Sequence, residues 1–343
     1  MTTQMQALVY EGPRTMVVRE LPVPTPADDE VLIRVRYSGI CGSELSGYLG
    51  QNALRTPPQI FGHEFAGEIV ARGARVSSVL PLGALATANP LVTCGTCARC
   101  RAGDQQLCVS RRLLSAALPG SNAEYVTIPA RNVHLLGPTL DLRAGALTEP
   151  VACAARVLAL AAPRSTDVAL VVGLGPIGLL VAQALRLGGV RQIIGVDTNT
   201  TRCAVGADLG FVVAADTATG VALAHEHSEA GADLAVDAVG VTATRLACIT
   251  GVRPGGTVVF TGLHSAESQL PVNTIVRSEI RCHGAFAYRD QDFATALAWL
   301  RAGVIGLEAG VIVAPLAAGG AWFARLVDGQ EPVTKVLLTP EAR

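Results

Sequence analysis

The chain has 343 residues, more than a single hydrophobic core usually supports, so we expect two domains. Half of the residues are hydrophobic, 16% are charged and the net charge is −1, which is typical of a well-packed protein and argues against nucleic acid as a partner. Residues 1–10 lack a signal-peptide pattern, and no later segment offers about 20 consecutive apolar residues. We therefore expect a soluble cytoplasmic protein that does not cross a membrane.

The first 150 residues predict a β-rich domain. Short alternating or β-branched runs, separated by glycine and proline, predict strands at 16–20, 30–37, 65–71 and 123–128. The last fifty residues return to mixed structure, with a helix predicted at 290–301 and a closing strand at 334–338.

The middle of the chain has a different pattern. A helical run rich in alanine and leucine ends near Pro163, and four elements follow it: an apolar strand (168–172), a glycine turn, a helix (176–187) and a second buried strand (192–196). Strand, crossover helix and parallel strand form a β-α-β unit, and the runs at 234–238 and 257–261 predict further strands. This segment is therefore expected to be α/β, with a doubly wound parallel sheet.

Four of the nine cysteines form a C-x2-C-x2-C-x7-C array: Cys94, Cys97, Cys100 and Cys108. Four thiolates so close in sequence complete a zinc tetrahedron with no open position, so we expect a structural zinc in a lobe at about residues 90–112. Metal-free loop cysteines and an iron–sulfur cluster are the alternatives, although cluster motifs usually place proline after the last ligand. Apart from Cys41, the remaining cysteines are expected to be small buried side chains: Cys153, Cys203, Cys248 and Cys282.

A second set of possible metal ligands is scattered along the sequence. It comprises Cys41 in Gly-Ile-Cys-Gly-Ser, His63 and Glu64 in Gly-His-Glu, and Glu149 in Glu-Pro-Val-Ala. A thiolate, an imidazole and a carboxylate suit zinc, and three protein ligands leave a fourth position for water or substrate. Taken singly, a histidine or a buried cysteine is more often structural.

The segment 173–178 carries a G-x-G-x-x-G turn between an apolar strand and a helix. Gly173 permits the tight turn, Gly175 allows close approach of a pyrophosphate, and Gly178 allows the helix to pack on the strand. Pro176 fits the first helical turn, so that Ile177 and the residues after it offer N–H donors at the positive end of the helix. This pattern predicts a dinucleotide site.

Asp197 ends the next predicted strand, 19 residues beyond Gly178. A carboxylate at this position accepts hydrogen bonds from the adenine ribose and repels a 2′-phosphate, so NAD is favoured over NADP. The alternative is a solvated aspartate at a strand end. Arg202 is the other charged residue nearby, and an arginine there is able to accept a phosphate.

Together these motifs resemble the zinc-containing medium-chain dehydrogenases/reductases, especially the polyol and secondary-alcohol branch that includes sorbitol, butanediol and threonine dehydrogenases. The resemblance runs from residue 6 to residue 337 and rests on five motifs in the family's order. It implies a GroES-like β-rich catalytic domain (1–150 and 288–343) interrupted by a Rossmann domain (151–287), with the active site in the cleft between them.

The resemblance also implies roles for individual residues. Cys41 and His63 would bind a catalytic zinc, and Glu64 and Glu149 would bind it or exchange with water. Ser43 would hydrogen-bond the substrate oxygen on zinc, and hydride would pass from a zinc-bound alkoxide to NAD. Arg202 would lie against the adenine, and two further sets would line the nicotinamide and substrate pockets: Val239, Gly262 and Leu263, and Leu45, Tyr48 and Leu49.

One position departs from the family's pattern. Many members have Asp-x-His after the Cys-Gly-Ser step, whereas this chain has Glu44-Leu45-Ser46. The usual relay histidine is therefore Ser46 here, and Glu44, water or the cofactor ribose would have to carry the proton.

The sequence is also compatible with three other functions: an NADP-linked enzyme, a metal-free quinone or enoyl reductase of the same fold, and an NAD-binding protein without turnover. The ligands at Cys41, His63 and Glu64 argue against the metal-free reductase. The expected partner is a small alcohol or ketone, and the expected assembly is a homodimer or homotetramer.

Overall fold

The computed structural model describes residues 3–165, 167–329 and 333–340. Its strands are β1 (Gln4–Gly12), β2 (Thr15–Pro22), β3 (Glu30–Gly39), β4 (Gln59–Ile60), β5 (Glu64–Arg72), β6 (Leu85–Ala88), β7 (Leu91–Val92), β8 (Arg112–Leu113), β9 (Tyr125–Pro129), β10 (Val133–Leu135), β11 (Val168–Val172), β12 (Gln192–Val196), β13 (Val212–Ala214), β14 (Ala232–Asp237), β15 (Val252–Phe260), β16 (Arg281–Gly284), β17 (Val311–Pro315) and β18 (Lys335–Thr339).

The α-helices are α1 (Gly42–Tyr48), α2 (Ala98–Arg101), α3 (Leu142–Ala146), α4 (Thr148–Ala161), α5 (Pro176–Leu187), α6 (Thr200–Asp208), α7 (Thr217–His227), α8 (Thr242–Gly251), α9 (Val272–Arg277), α10 (Asp290–Arg301) and α11 (Gly319–Asp328). None of the helices in the described ranges is both long and apolar enough to cross a membrane.

The chain divides into two compact units. One contains Met1–Glu149 and Arg289–Arg343, and the other contains Pro150–Tyr288. The boundaries expected from the sequence, 150/151 and 287/288, lie within one residue of this division.

Strand β3 organises the main sheet of the first unit. It pairs with β5 and β9 along its length and with β18 at its end, so three segments distant in sequence meet on it. Its β-branched residues alternate inward and pack with those of β5 in one buried cluster that includes Val31, Ile33, Val35, Phe65 and Ile69. Because Gly39 pairs with both Glu64 and Leu337, the ends of β3, β5 and β18 are held side by side.

The second unit is built on a parallel sheet. Among the described residues its strand order is β13-β12-β11-β14-β15-β16, and neighbouring strands are parallel. All five residues of β11 are buried, as expected for a strand covered on both faces. This is the strand order of the doubly wound Rossmann fold. The order in which successive strands are added changes side at β11 and β14, and this creates a ligand crevice at the carboxyl ends of those strands.

The prediction of four buried cysteines is wrong in part. Cys248 is fully buried, but Cys153 and Cys203 are half-buried and Cys282 is exposed. Cys282 lies on β16, which ends the described sheet, and an edge strand has less cover than a central one.

Candidate functional site

The four cysteines of the 94–108 segment converge on one point. Their sulfur atoms all lie within 4.8 Å of one another. The Cys94 and Cys100 sulfurs are 3.9 Å apart, and those of Cys94 and Cys108 are 3.6 Å apart. Backbone N–H groups of Thr96 and Cys97 lower the pKa of the Cys94 thiol to about 6, which favours the thiolate that binds metal. This donor set fits a structural zinc.

A second cluster brings together Cys41, His63 and Glu64, whose ligand atoms also lie within 4.8 Å of one another. Cys41 immediately precedes α1, His63 immediately precedes β5, and Glu64 is the first residue of β5. The pairing of Gly39 with Glu64 explains why residues more than twenty positions apart in the chain meet here. A half-buried sulfur, a buried ring nitrogen and a buried carboxylate in one group fit a zinc ion with an open position.

Glu149 stands outside that group among the described residues. It is buried in the first turn of α4, and its negative charge helps to raise the pKa of Lys335, so it lies in the neighbourhood of the cluster. The structure therefore brings three of the four expected ligands together.

Glu44 is fully buried and contacts the Nδ1 side of the His63 ring. Its Oε1 atom is 2.8 Å from His63 Nδ1 and accepts hydrogen bonds from the backbone N–H of Gly62 (2.7 Å) and the hydroxyl of Ser115 (2.6 Å). Burial alone would raise the pKa of Glu44, but the charge and hydrogen bond of His63 and the charge of Arg55 lower it to about 2. A carboxylate on Nδ1 orients the ring and leaves Nε2 for a metal.

This geometry bears on the proton route. Glu44 has no exposed surface, and Oε1 already accepts several hydrogen bonds, so it is poorly placed to pass a proton to solvent. Ser46, in the position of the family's relay histidine, donates its hydroxyl to the backbone oxygen of Ser43 at 2.9 Å. Neither side chain offers the route that a histidine would provide.

Lys335 is one residue of this site that the sequence did not reveal. It is the only lysine in the chain, and its buried ammonium group forms an ion pair with Glu64 and donates to the backbone oxygen of Ile40 at 3.0 Å. Burial alone would lower the pKa of Lys335, but the negative charges of Glu64 and Cys41 raise it. A side chain at Gly39 would overlap the Glu64 carboxylate, which explains the glycine of Gly-Ile-Cys-Gly.

The expected substrate-pocket role of Leu45 and Tyr48 is not supported. Tyr48 is 4% exposed, its hydroxyl donates to the backbone oxygen of Arg14, and its ring lies 5.6 Å from that of Phe323. Leu45 packs against the same cluster. Both side chains therefore hold α1 on the core of the first unit.

In the second unit the glycine turn has the geometry that its sequence predicts. Gly173 has a φ of +97°, a conformation that L side chains rarely adopt. A side chain at Gly178 would overlap the carbonyl oxygen of Gly173, whereas one at Gly175 would meet nothing within 4 Å. Pro176 is the first residue of α5. The turn thus leaves open space beside Gly175 at a helix N-terminus, which fits a pyrophosphate.

Asp197 follows β12 and faces the same turn. Its carboxylate accepts the backbone N–H of Leu174 and that of Asn199, both at 2.8 Å, and Arg202 lies 3.6 Å away. A side chain at Gly173 would overlap the side chain of Val239.

The other expected nicotinamide residues follow β15. The backbone of Gly262 packs closely against Gly240. The side chain of Leu263 is 77% exposed.

Comparison with known proteins identifies the family that the chain resembles. The chain matches the family model of the alcohol dehydrogenase GroES-like domain over residues 27–138 and that of zinc-binding dehydrogenases over residues 176–302. It is 33% identical to the sorbitol dehydrogenase of Halalkalibacterium halodurans over 304 residues, which cover 86% of this chain and 88% of that protein.

Two solved structures share the fold over nearly the whole chain. One is an alcohol dehydrogenase of Escherichia coli CFT073 complexed with NADH, with a TM-score of 0.92, 27% identity and coverage of 98% of this chain and 100% of that one. The other, from Sinorhizobium meliloti 1021, is bound to NADP, with a TM-score of 0.89, 27% identity and coverage of 99% and 100%.

Proposed function

This chain belongs to the zinc-containing medium-chain dehydrogenase/reductase family and is an alcohol or polyol oxidoreductase. From that premise we propose that it is a zinc-dependent, NAD-linked dehydrogenase that interconverts a secondary alcohol or polyol and the corresponding ketone. The observation that carries this proposal is the convergence of Cys41, His63 and Glu64 within 4.8 Å.

Cys41 and His63 would hold the catalytic zinc, with Glu64 either binding it or remaining on Lys335. When bound, zinc would polarise the substrate oxygen and promote its deprotonation. Glu44 orients the His63 ring, and the hydroxyl of Ser43 is placed beside Cys41, with 3.4 Å between oxygen and sulfur. With Ser46 and Glu44 poorly suited to a relay, we propose that water or the cofactor ribose carries the proton to solvent.

We propose NAD as the cofactor because of Asp197. Related structures hold either NADH or NADP, so membership of the family does not choose between them. A carboxylate at the end of β12 accepts ribose hydroxyls and repels a 2′-phosphate, and Arg202 is already 3.6 Å from that carboxylate.

Replacing the carboxylate tests the choice of cofactor. Asp197→Ser should raise the ratio of kcat/KM for NADP to that for NAD roughly tenfold or more, because the repulsion is removed while a polar side chain is kept. Asp208→Ser, which alters an exposed aspartate on α6, is the control and should leave the ratio unchanged. An unchanged ratio in Asp197→Ser would contradict the assignment of NAD.

The activity itself is tested by NADH formation from a panel of polyols, diols, threonine and aminocyclitols. The wild type should oxidise at least one of these compounds, and Cys41→Ala should not oxidise it. A metal-free reductase would instead reduce enones and tolerate Cys41→Ala, and a protein without turnover would bind NAD but oxidise nothing.

A cytoplasmic homodimer or homotetramer remains our prediction, and light scattering of the purified protein measures the assembly.

A further inference from the structure

We propose that Arg55 is a positioning residue that fixes the hydroxyl of Ser43 for its contact with the substrate oxygen. The inference rests on the proposed function, because it is that function which gives Ser43 a substrate to contact. Arg55 lies between α1 and β5, outside every motif that the sequence revealed.

The guanidinium group of Arg55 is buried, with 5% of the residue exposed, and it donates hydrogen bonds to two atoms of Ser43. Nη2 donates to Ser43 Oγ at 2.9 Å, and Nε donates to the Ser43 backbone oxygen at 3.1 Å. Nη1 donates to the backbone oxygen and hydroxyl of Ser115. A planar fork with this many satisfied donors has one orientation, unlike the flexible ammonium of a lysine.

Three further features hold Arg55 in this place. A side chain at Gly47 would overlap Arg55 Cδ, so α1 needs glycine there for the arginine to pass. The Phe61 ring lies 5.1 Å from Arg55 Cζ, within range of a cation–π contact. Ser115 adopts a φ of +73°, an unfavourable conformation for a serine, and in it both of its oxygens accept from Arg55.

The direction of the Ser43 hydroxyl follows from these bonds. A guanidinium carries only donors and stays protonated, so Ser43 Oγ must accept from Arg55 and its own hydrogen must point elsewhere. The acceptor within reach is Cys41 Sγ at 3.4 Å, a weak partner at a long distance. A substrate oxygen held at the open position of the zinc site beside Cys41 would be the better acceptor, so Arg55 would present Ser43 as a donor toward it.

The same group links the two sides of the site. Ser115 accepts from Arg55 and donates its hydroxyl to Glu44 at 2.6 Å, and Glu44 in turn holds His63. The positive charge of Arg55 is thereby balanced by Glu44 inside the protein. A residue that served only to stabilise the fold would not need to contact the hydroxyl of Ser43.

The test is a double-mutant cycle between Arg55 and Ser43 in the zinc-loaded, full-length enzyme. Arg55→Met should lower kcat roughly 10- to 100-fold, with KM changed less than about threefold and zinc content unchanged. In a Ser43→Ala background the same change should have little further effect, because the hydroxyl that Arg55 orients is gone. Arg55→Lys, which keeps the charge but not the fork, should recover only part of kcat.

Arg75→Met is the matched control. Arg75 is exposed and pairs with the equally exposed Asp28 on the surface of the same unit. Its loss should leave kcat, KM and zinc content unchanged, so an effect of Arg55→Met cannot be ascribed to the removal of any arginine.

Crystal structures of wild type and Arg55→Met give a second readout that needs no turnover. We expect Ser43 Oγ to leave its present rotamer or to occupy several in the variant. An unchanged Ser43 rotamer, a fully additive cycle, or loss of zinc in both Arg55 variants would overturn the inference. If the wild type oxidised no alcohol, the proposed function would fail, and the Ser43 rotamer would still decide the role of Arg55.

Discussion

Lys335 shows how a single side chain determines the electrostatics of the candidate metal site. Its ammonium group is buried against Glu64, with the charges of Cys41 and Glu149 nearby. A buried carboxylate without a partner is strongly unfavourable, and breaking such a pair typically costs about 3–5 kcal/mol. The net contribution of the pair to stability is therefore less important than the effect of losing Lys335, which would leave the Glu64 carboxylate buried without a counter-charge.

Lys335→Met should accordingly lower the free energy of unfolding by about 3 kcal/mol in urea titrations at pH 7. Methionine keeps an unbranched apolar chain and lacks only the terminal ammonium group, so a loss of this size reports the missing charge. Lys335→Arg restores a cation and should recover part of the difference. Equal stability of Lys335→Met and wild type would mean that Glu64 has another partner when Lys335 is absent.

Among single residues, the donors that cluster in the structure were easier to predict from the sequence than the residues that support them. The four lobe cysteines could be found by their spacing, and Cys41 and His63 by their residue types and the short motifs around them. Arg55 and Ser115 could not be found, because only the folded chain brings them to the site. Ser115 lies 60 residues from Arg55 and 71 residues from Glu44, the two side chains that it contacts. Lys335 had one signal, its uniqueness among 343 residues.

Among the elements, the turn between β11 and α5 separates two uses of glycine. At Gly178 the helix packs directly on the Gly173 carbonyl, whereas Gly175 faces open space with an ordinary φ of −65°. Gly178 therefore allows close packing of helix and strand, and Gly175 leaves room for a ligand.

Two alanine variants of this turn should therefore fail in different ways. Gly178→Ala should lower the free energy of unfolding by about 2 kcal/mol or more, because backbone has to move. Gly175→Ala should cost less than about 1 kcal/mol in stability but weaken NAD binding at least about tenfold, because its methyl group occupies the pyrophosphate space. Thermal unfolding and NADH fluorescence titration measure the two effects. A Gly175→Ala protein with unchanged NADH affinity would place the cofactor elsewhere.

The accuracy of the predicted elements depends on what determined each of them. Helix α5 and strands β11 and β12 have the predicted bounds because apolar runs end there at glycine, proline or aspartate. Strand β15 begins at Val252, five residues before its predicted start, and includes Pro254, Gly255 and Gly256, which are poor strand formers. Its pairing with β14, which carries a register shift, fixed that extension.

At the scale of the whole molecule, the first unit is assembled from both ends of the chain. Strand β18 is added to β3 near the end of the sequence and brings Lys335 to Glu64. Arg289, where the chain returns to this unit, donates to Asp104 in the cysteine lobe. Both contacts join residues more than 180 positions apart, so completing the first unit depends on the last fifty-five residues.

The two donor clusters predict that each chain holds about two zinc ions, with different consequences when each is lost. Cys97→Ser should reduce the zinc content to about one and lower the thermal midpoint, because the 94–108 loop is closed by four sulfurs and little apolar packing. Cys41→Ser should also reduce it to about one but leave the midpoint nearly unchanged while abolishing alcohol oxidation, because β3, β5 and β18 hold the second cluster without metal. Elemental analysis, calorimetry and NADH formation on the same preparations separate the cases. Wild-type protein with one zinc or none, or loss of both ions in either variant, would refute two independent sites.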